Sequence, residues 1–166
     1  MENLIIKKQK AIMRIWQTSD ADEFVTGIKS ADIDQNLRPE YPRTIADFIE
    51  FVKRCRSKAV PQDFAITQEK TIKGGISFID NGDPMIELGC LWIAEPYRNN
   101  GLAKGAIKTL IEHIIKIYPN HGIFGQVYDF NEKEISMMDK LGFKLAGCRN
   151  VPYKGTTTNL LRFEYN

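Results

Sequence analysis

The chain has 166 residues, with 23 lysines and arginines against 21 aspartates and glutamates, and the resulting charge of +2 is too small for a polyanion-binding surface. That excludes an electrostatic tether to nucleic acid or to a membrane surface. A hydrophobic share of 43% beside 27% charged residues is the balance of a globular chain rather than a disordered one, and at this length one domain burying roughly two thirds of its surface is expected.

Cys55, Cys90 and Cys148 are an odd set without CxxC spacing, and His113 and His121 stand apart from all three. Neither a disulfide framework nor a metal site is expected, and Cys90 and Cys148 read as small core residues of strands. The start Met1-Glu2-Asn3 lacks the build of a signal peptide. The apolar run Leu110–Ile117 is interrupted by Glu112, His113 and Lys116, which makes it too short and too polar to span a bilayer. A cytoplasmic protein is the expectation.

In chain order, Ala11–Trp16 is rich in β-branched and aromatic residues and reads as a strand, followed by the cap-like cluster Thr18-Ser19-Asp20. A helix over Ala21–Ser30 places Phe24, Ile28 and Ala31 at helical spacing. A second over Ile45–Arg56 aligns Ile45, Phe48, Ile49 and Val52, with Thr44 as N-cap and Asp47 in the capping-box position. The loop between them, Asn36–Arg43, holds two prolines and many polar and aromatic groups, a composition suited to binding. Asp63–Thr67, Thr71–Asp80 and Met85–Ile93 read as strands of an antiparallel meander, with Asn81-Gly82 supplying a tight type I′ turn.

After Pro96 the period changes to helical. Ala103, Ile107, Leu110, Ile114 and Ile117 form one stripe and Lys104, Lys108, Glu112 and Lys116 another, until Pro119 stops the helix. A strand at Gly122–Tyr128, a helix over Glu132–Leu141, a strand at Phe143–Cys148 and a last strand at Asn159–Tyr165 follow. No repeat or low-complexity tract divides the sequence, so a single domain over residues 1–166 is expected.

The stretch Glu87-Leu88-Gly89 through Lys104 carries the chemistry. Here a strand passes through Arg98-Asn99-Asn100-Gly101 into the longest helix. The first amides of a helix lack intrahelical acceptors and point, with the positive end of the dipole, at one place, which suits a phosphate. Lys104 in the first turn opposes the dipole unless an anion is held there; a simply solvated lysine is the other reading. Asn100-Gly101 as one more hairpin turn is disfavoured by the helical periodicity that follows.

Arg98-Asn99-Asn100-Gly101-Leu102-Ala103 resembles the hallmark of the GNAT superfamily of acyl-CoA-dependent N-acyltransferases: Arg or Gln, two residues, Gly, one residue, then Gly or Ala. Glu87-Leu88-Gly89 on the preceding strand, and Asn131 leading a helix that ends in Lys140-Leu141-Gly142-Phe143, are similar to further parts of that family. The glycine of this ending has its own logic as the C′ residue of a helix. Asn36-Leu37-Arg38, Tyr41-Pro42 and Thr44–Phe48 resemble the branch typified by ribosomal-protein N-terminal acetyltransferases. The resemblance implies a mixed α/β (α+β) GNAT fold, a mostly antiparallel twisted central sheet, splayed at the cofactor site and flanked by about four helices.

It also implies acetyl-CoA as cosubstrate. Its pyrophosphate is expected on the amides of Arg98, Asn99, Asn100, Gly101, Leu102, Ala103 and Lys104, and its pantetheine arm on main-chain groups of Leu91, Trp92 and Ile93, with Asn131 as a further contact or simply an N-cap. A backbone N–H beside the splay can polarise the thioester carbonyl. The acceptor is a primary amine (a protein N-terminus, a polyamine or a small molecule), and Glu87 is the candidate for removing its proton, directly or through water. The alternative for Glu87 is a pairing with Lys or Arg at an exposed strand entry.

Two departures stand out. Met138 occupies the place where many relatives carry a tyrosine that protonates the CoA thiolate, and a thioether cannot donate a proton. Glu134 replaces a serine common in the ribosomal-protein branch. Tyr153, Ser136 or solvent then become the candidate proton donors. Trp16 and Trp92 read as core residues, and neither histidine acquires a role. Arg38, Tyr41 and Arg43 are candidates for substrate binding, with no nucleic-acid or membrane partner expected and a homodimer left open. A non-catalytic acyl-CoA-binding protein is the competing reading. An unrelated nucleotide-binding domain is weaker, because no Gly-Lys-Ser/Thr follows the glycine turn.

Overall fold

A computed structural model describes residues 3–6, 11–29 and 41–165. The elements are β1 (Leu4–Ile6), β2 (Ala11–Ile15), a 3-10 turn (Thr18–Asp20), α1 (Ala21–Ile28), α2 (Ile45–Ser57), β3 (Asp63–Gln68), β4 (Thr71–Ile79) and β5 (Met85–Ile93). A second 3-10 turn (Glu95–Tyr97), α3 (Leu102–Ile117), β6 (Gly122–Tyr128), α4 (Glu132–Lys140), β7 (Phe143–Tyr153) and β8 (Thr156–Tyr165) complete the chain. The strand order is β1-β2-β3-β4-β5-β6-β8-β7. β5 and β6 run parallel, joined through α3, whereas β1–β2, β2–β3, β3–β4, β6–β8 and β7–β8 are antiparallel. The expected mixed α/β class and mostly antiparallel sheet are therefore present.

The described residues through Phe78, together with Cys90–Leu110, form one compact unit; Ile79–Gly89 and the residues from Ile111 onward form a second. No helix among the described residues is long and apolar enough to cross a membrane.

The first unit is organised around two tryptophans, both core residues as expected. Trp16 is 1% exposed and stacks on Trp92 with ring centroids 6.3 Å apart, while Phe24 and Phe48 meet Trp16 edge-on at 5.2 and 5.5 Å. Trp92 fits because glycines face it. A Cβ on Gly75 would stand 2.6 Å from Trp92 Nε1 and 2.8 Å from Trp16 Cζ2, and one on Gly27 would stand 2.7 Å from Trp92 Cζ3. The pair Gly74-Gly75, costly to β propensity, is thus required by packing.

The entries to the helices follow from local hydrogen bonding. In the cap-like cluster, Asp20 accepts from the Gln17 amide at 2.9 Å as one half of a capping box, and it also accepts two 2.8 Å bonds from Arg14, a part-buried bidentate pair that ties β2 to the start of α1. Thr44 and Asp47 form the expected capping box, with reciprocal bonds of 3.1 and 3.2 Å.

Several sequence expectations are corrected. Asn81-Gly82 is not a two-residue hairpin turn: β4 and β5 are separated by residues 80–84, and Asp80 Oδ1 captures the Gly82 amide at 2.8 Å, making an Asx turn. The two successive positive φ values that a type I′ turn demands occur at Glu69-Lys70 (51° and 69°) and at Lys154-Gly155 (47° and 80°). The segment 149–158, left between the two expected strands, is the far end of the β7–β8 hairpin, with Tyr153 paired to Thr156. Val151 and the Thr156–Thr158 run favour strand, and Pro152 is tolerated because β7 is the outer strand. Cys148 is exposed rather than in the core, as is Leu145 at 61%, whereas Phe143 on the same strand is buried. On α3 the fully buried positions are Leu102, Ala106, Ile107, Leu110, Ile111 and Ile114, while Ala103 and Ile117 lie at the margin of the stripe.

Gly75→Ala is expected to destabilise the protein by about 1–3 kcal/mol, because neither indole can retreat in a filled core. Urea unfolding should show a lower midpoint at an unchanged slope; an unchanged midpoint would mean that the tryptophans yield easily.

Candidate functional site

β5 leads through Ala94 into the 3-10 turn, and the chain then reverses into α3. Asn99 has φ 62° and Gly101 φ 81°, left-handed conformations that asparagine and glycine tolerate best. Arg98 is folded back, with Nε donating to the Ile93 carbonyl at 3.0 Å, so its side chain braces the turn against the end of β5. Lys73 Nζ lies 3.7 Å from the centroid of the Tyr97 ring and supports the same turn.

The amides expected to converge on an anion are not equivalent. Those of Arg98 and Leu102 are occupied, by the Glu95 carbonyl at 3.3 Å and by Asn100 Oδ1 at 3.0 Å. Those of Ala103 and Lys104 lie in the first turn of α3, before the helical ladder begins with Gly105 bonding to the Gly101 carbonyl at 3.0 Å. Asn99, Asn100 and Gly101 carry the other amides of the set. No acidic side chain occupies the first turn of α3, so the dipole and Lys104 favour an anion there. Of the strand residues, Leu91 is half-buried, Ile93 is buried, and the Trp92 ring belongs to the core, leaving only its main chain to act.

In the second unit the parallel register of β5 and β6 runs from Met85↔Gly122 to Leu88↔Gly125 and stops there, although β5 continues to Ile93 and β6 to Tyr128. Glu87, opposite Phe124, is 7% exposed, so it is not at an exposed strand entry. Gln126 Nε2 donates to Glu87 Oε1 at 2.9 Å, and Arg149 Nη2 donates to Gln126 Oε1 at 3.0 Å. Arg162, opposite Gln126 on β8, lies over the Phe124 ring at 3.9 Å and bonds Glu164 at 2.9 Å.

Asn131 caps α4, accepting from the Glu134 amide at 3.3 Å and donating Nδ2 to Glu134 Oε2 at 2.7 Å. Burial raises the Glu134 carboxyl from its ordinary 4.5 to about 7. Ser136 is exposed on the same helix. Met138 is 3% exposed, and a Cβ on Gly125 would lie 2.6 Å from its methyl carbon, so this position is structural filling between α4 and β6. Tyr153 joins Tyr128 and Phe130 in a three-ring cluster with centroids 5.1–5.2 Å apart. Asp129 fastens the β6–α4 turn to β8, accepting from Thr158 Oγ1 and Asn159 Nδ2 at 2.9 Å each, and these bonds hold its carboxyl below the usual range.

Of the substrate-loop residues, Tyr41 is corrected. Its ring is 9% exposed beside Phe24 and Phe51, and its hydroxyl accepts from Trp92 Nε1 at 3.1 Å, so it is a core residue whose burial raises the phenol well above its ordinary value. Arg43 is half-buried and donates to the Tyr41 carbonyl at 3.2 Å. Arg38, and the stretch from Ser30 to Glu40 around it, lie outside the described residues. Sequence reasoning missed Gln126 and Arg149, and it named Glu134 only as a departure from the family pattern. A polar Gln126 alternating with Phe124 and Tyr128 on an apolar strand was the available signal for the first; the others depend on the hairpin and on burial.

The family model of the acetyltransferase (GNAT) domain matches residues 10–144, and the chain belongs to this family. Spermine/spermidine N(1)-acetyltransferase of Bacillus subtilis (strain 168) is 29% identical over 68 residues, 41% of this chain and 45% of that protein; the match thus spans less than half the length of this curated relative. Among solved structures, a probable acetyltransferase superposes with a TM-score of 0.85 at 18% identity, over 99% of this chain and 96% of the other. RimL, a ribosomal L7/L12 alpha-N-protein acetyltransferase solved with coenzyme A, gives 0.81 at 16% identity over 98% and 97%. At these identities the likeness is one of fold.

Glu134 yields a pH prediction. With its folded value raised, the native state binds more protons than the unfolded chain between pH 4.5 and about 7, so stability is lost as pH rises through that window. Glu134→Gln keeps an acceptor for Asn131 and removes the titration. The variant should gain on the parent by up to about 3 kcal/mol near pH 8 and little near pH 5. Parallel urea midpoints at both pH values would contradict this.

Proposed function

We propose that the chain is an acetyl-CoA-dependent N-acetyltransferase that moves an acetyl group to a primary amine by direct attack in a ternary complex, acting as one GNAT domain in the cytoplasm. The observation that carries this reading is the turn from Arg98 to Lys104, where left-handed Asn99 and Gly101 open the first turn of α3 to an anion. The amides of Asn99, Asn100, Gly101, Ala103 and Lys104 then hold the pyrophosphate, while those of Arg98 and Leu102 keep the turn in shape. Membership of the family and the fold likeness to RimL, solved with coenzyme A, support it.

Acetyl-CoA, when bound, supplies the activated thioester. Main-chain groups of Leu91, Trp92 and Ile93 lie past the end of the β5–β6 register and suit an extended pantetheine arm. Asn131 is a further contact for that arm and at the same time the N-cap of α4. Glu87 takes the proton that the acceptor ammonium must lose, directly or through water. Tyr153 or Ser136, or else solvent, returns a proton to the thiolate. Arg38 and Arg43 are the proposed polar contacts of the acceptor. A relative named for acetylating spermine and spermidine supports an amine of the polyamine or peptide N-terminal kind.

A second reading, a non-catalytic acyl-CoA-binding protein, is favoured by one observation: Met138 is packed into the core where relatives of this type present a tyrosine.

Calorimetry should detect CoA binding, and thiol release should follow on adding an amine from a panel of polyamines and peptides with free N-termini. Gly101→Ala, strained by roughly 1–2 kcal/mol at its positive φ, should weaken CoA about tenfold. Glu87→Gln should cut kcat by about 10²–10⁴-fold while CoA affinity holds. Binding without turnover on any amine would select the second reading, and absence of CoA binding would defeat both.

A further inference from the structure

Glu87, Gln126 and Arg149 all lie in the second compact unit, on β5, β6 and β7. Side chains alternate along a strand, so Gln126 shares a face of β6 with Phe124 and Tyr128, and Glu87 stands opposite Phe124 in the parallel register. Across β8, Arg162 faces Gln126 and is in turn paired with Gly147. Arg162 leans over Phe124 and toward Glu164. Gly147 has no side chain, and a Cβ placed on it would meet nothing within 4 Å. The way from β7 to Gln126 is thereby open to Arg149, whose Nη2 reaches Gln126 Oε1 at 3.0 Å.

A glutamine amide has two unlike ends, and here a charge faces each one. The carbonyl end accepts from the Arg149 guanidinium, and the amino end donates to the Glu87 carboxylate at 2.9 Å. A flipped amide would set N–H donors against the guanidinium and a carbonyl oxygen against a carboxylate, losing two charge-assisted bonds and gaining two repulsions. One orientation is therefore held from both sides. The amide that stands between Arg149 and Glu87 delivers a neutral donor to Glu87 Oε1, which orients the carboxylate.

We propose that Gln126 is a positioning residue for Glu87, and that Arg149 fixes the direction of the Gln126 amide. The inference rests on the reading of Glu87 as the group that deprotonates the acceptor amine.

The test compares the parent with Glu87→Gln, Gln126→Leu, Gln126→Glu, Arg149→Met and Arg149→Lys, using acetyl-CoA and spermidine, with CoA calorimetry as the control for folding. Gln126→Leu should lower kcat about tenfold at unchanged KM for acetyl-CoA. Gln126→Glu retains an acceptor for Arg149 but sets a second carboxylate against Glu87, so its kcat should fall at least as far. A role confined to anchoring Arg149 would spare that variant. Arg149→Met should lower kcat about threefold, and Arg149→Lys should restore most of the loss. In the amide spectrum of the parent, the Gln126 side-chain protons should exchange slowly, and faster in Arg149→Met.

Parental kcat in Gln126→Glu, alongside a strongly impaired Glu87→Gln, would overturn the proposal and leave the function of Glu87 intact. An unimpaired Glu87→Gln would overturn the reading on which it rests. If spermidine is not turned over, the exchange measurement decides: equal protection in parent and Arg149→Met overturns the arrangement.

Discussion

Trp92 occupies a slot that exists because Gly27, Gly74 and Gly75 carry no side chains, and the position of the end of β5 follows from that fit. Its indole stacks on Trp16 and donates to Tyr41, so the last residues of β5 cannot shift without disturbing the aromatic core of the first unit. The next carbonyl along, that of Ile93, receives Arg98 Nε and fixes where the chain reverses. The turn proposed to hold the pyrophosphate and the first amides of α3 are therefore set by core packing as much as by their own glycine. Interiors pack densely enough to transmit such a constraint.

The second unit treats polar groups differently. Its buried carboxylate is not left alone in an apolar strand, which would be costly; Glu87 receives the Gln126 amide, which Arg149 completes from an exposed position. Met138 fills the space beside Gly125, where a larger or more polar side chain would need a changed β6. The departure from the family pattern at that position is thus tied to packing, and the proton chemistry proposed for this chain draws on other residues. Glu134 is a second carboxyl that burial brings near neutrality, held against the cap of α4.

Much of the fold is legible in the residues. The period of 3.6 in α3, the capping box Thr44–Asp47, and the Leu141-Gly142 ending of α4, with Gly142 at φ 94°, are local devices whose energetics involve neighbours a few residues apart. The tight turns were harder. Asn81-Gly82 has the right composition, yet Asp80 competes for its amide, whereas Glu69-Lys70 turns tightly with neither asparagine nor glycine because β3 and β4 pair on both sides of it. Tyr41 looked like a binding residue because prolines flank it, and it is a core residue because a tryptophan distant in sequence supplies a partner for its hydroxyl.

The sequence by itself determined the family, the turn Arg98–Lys104 and the presence of Glu87 on an apolar strand, because these rest on spacing along one stretch of chain. Tertiary structure decided which amides of that turn are occupied, which tyrosine is core, and which groups face Glu87. Those outcomes depend on side chains that meet across strands far apart in sequence: Gln126 on β6 and Arg149 on β7 reach each other over β8, where Gly147 leaves room. Hydrogen-bond partners and steric room are properties of a place in space, and no single stretch of sequence carries them.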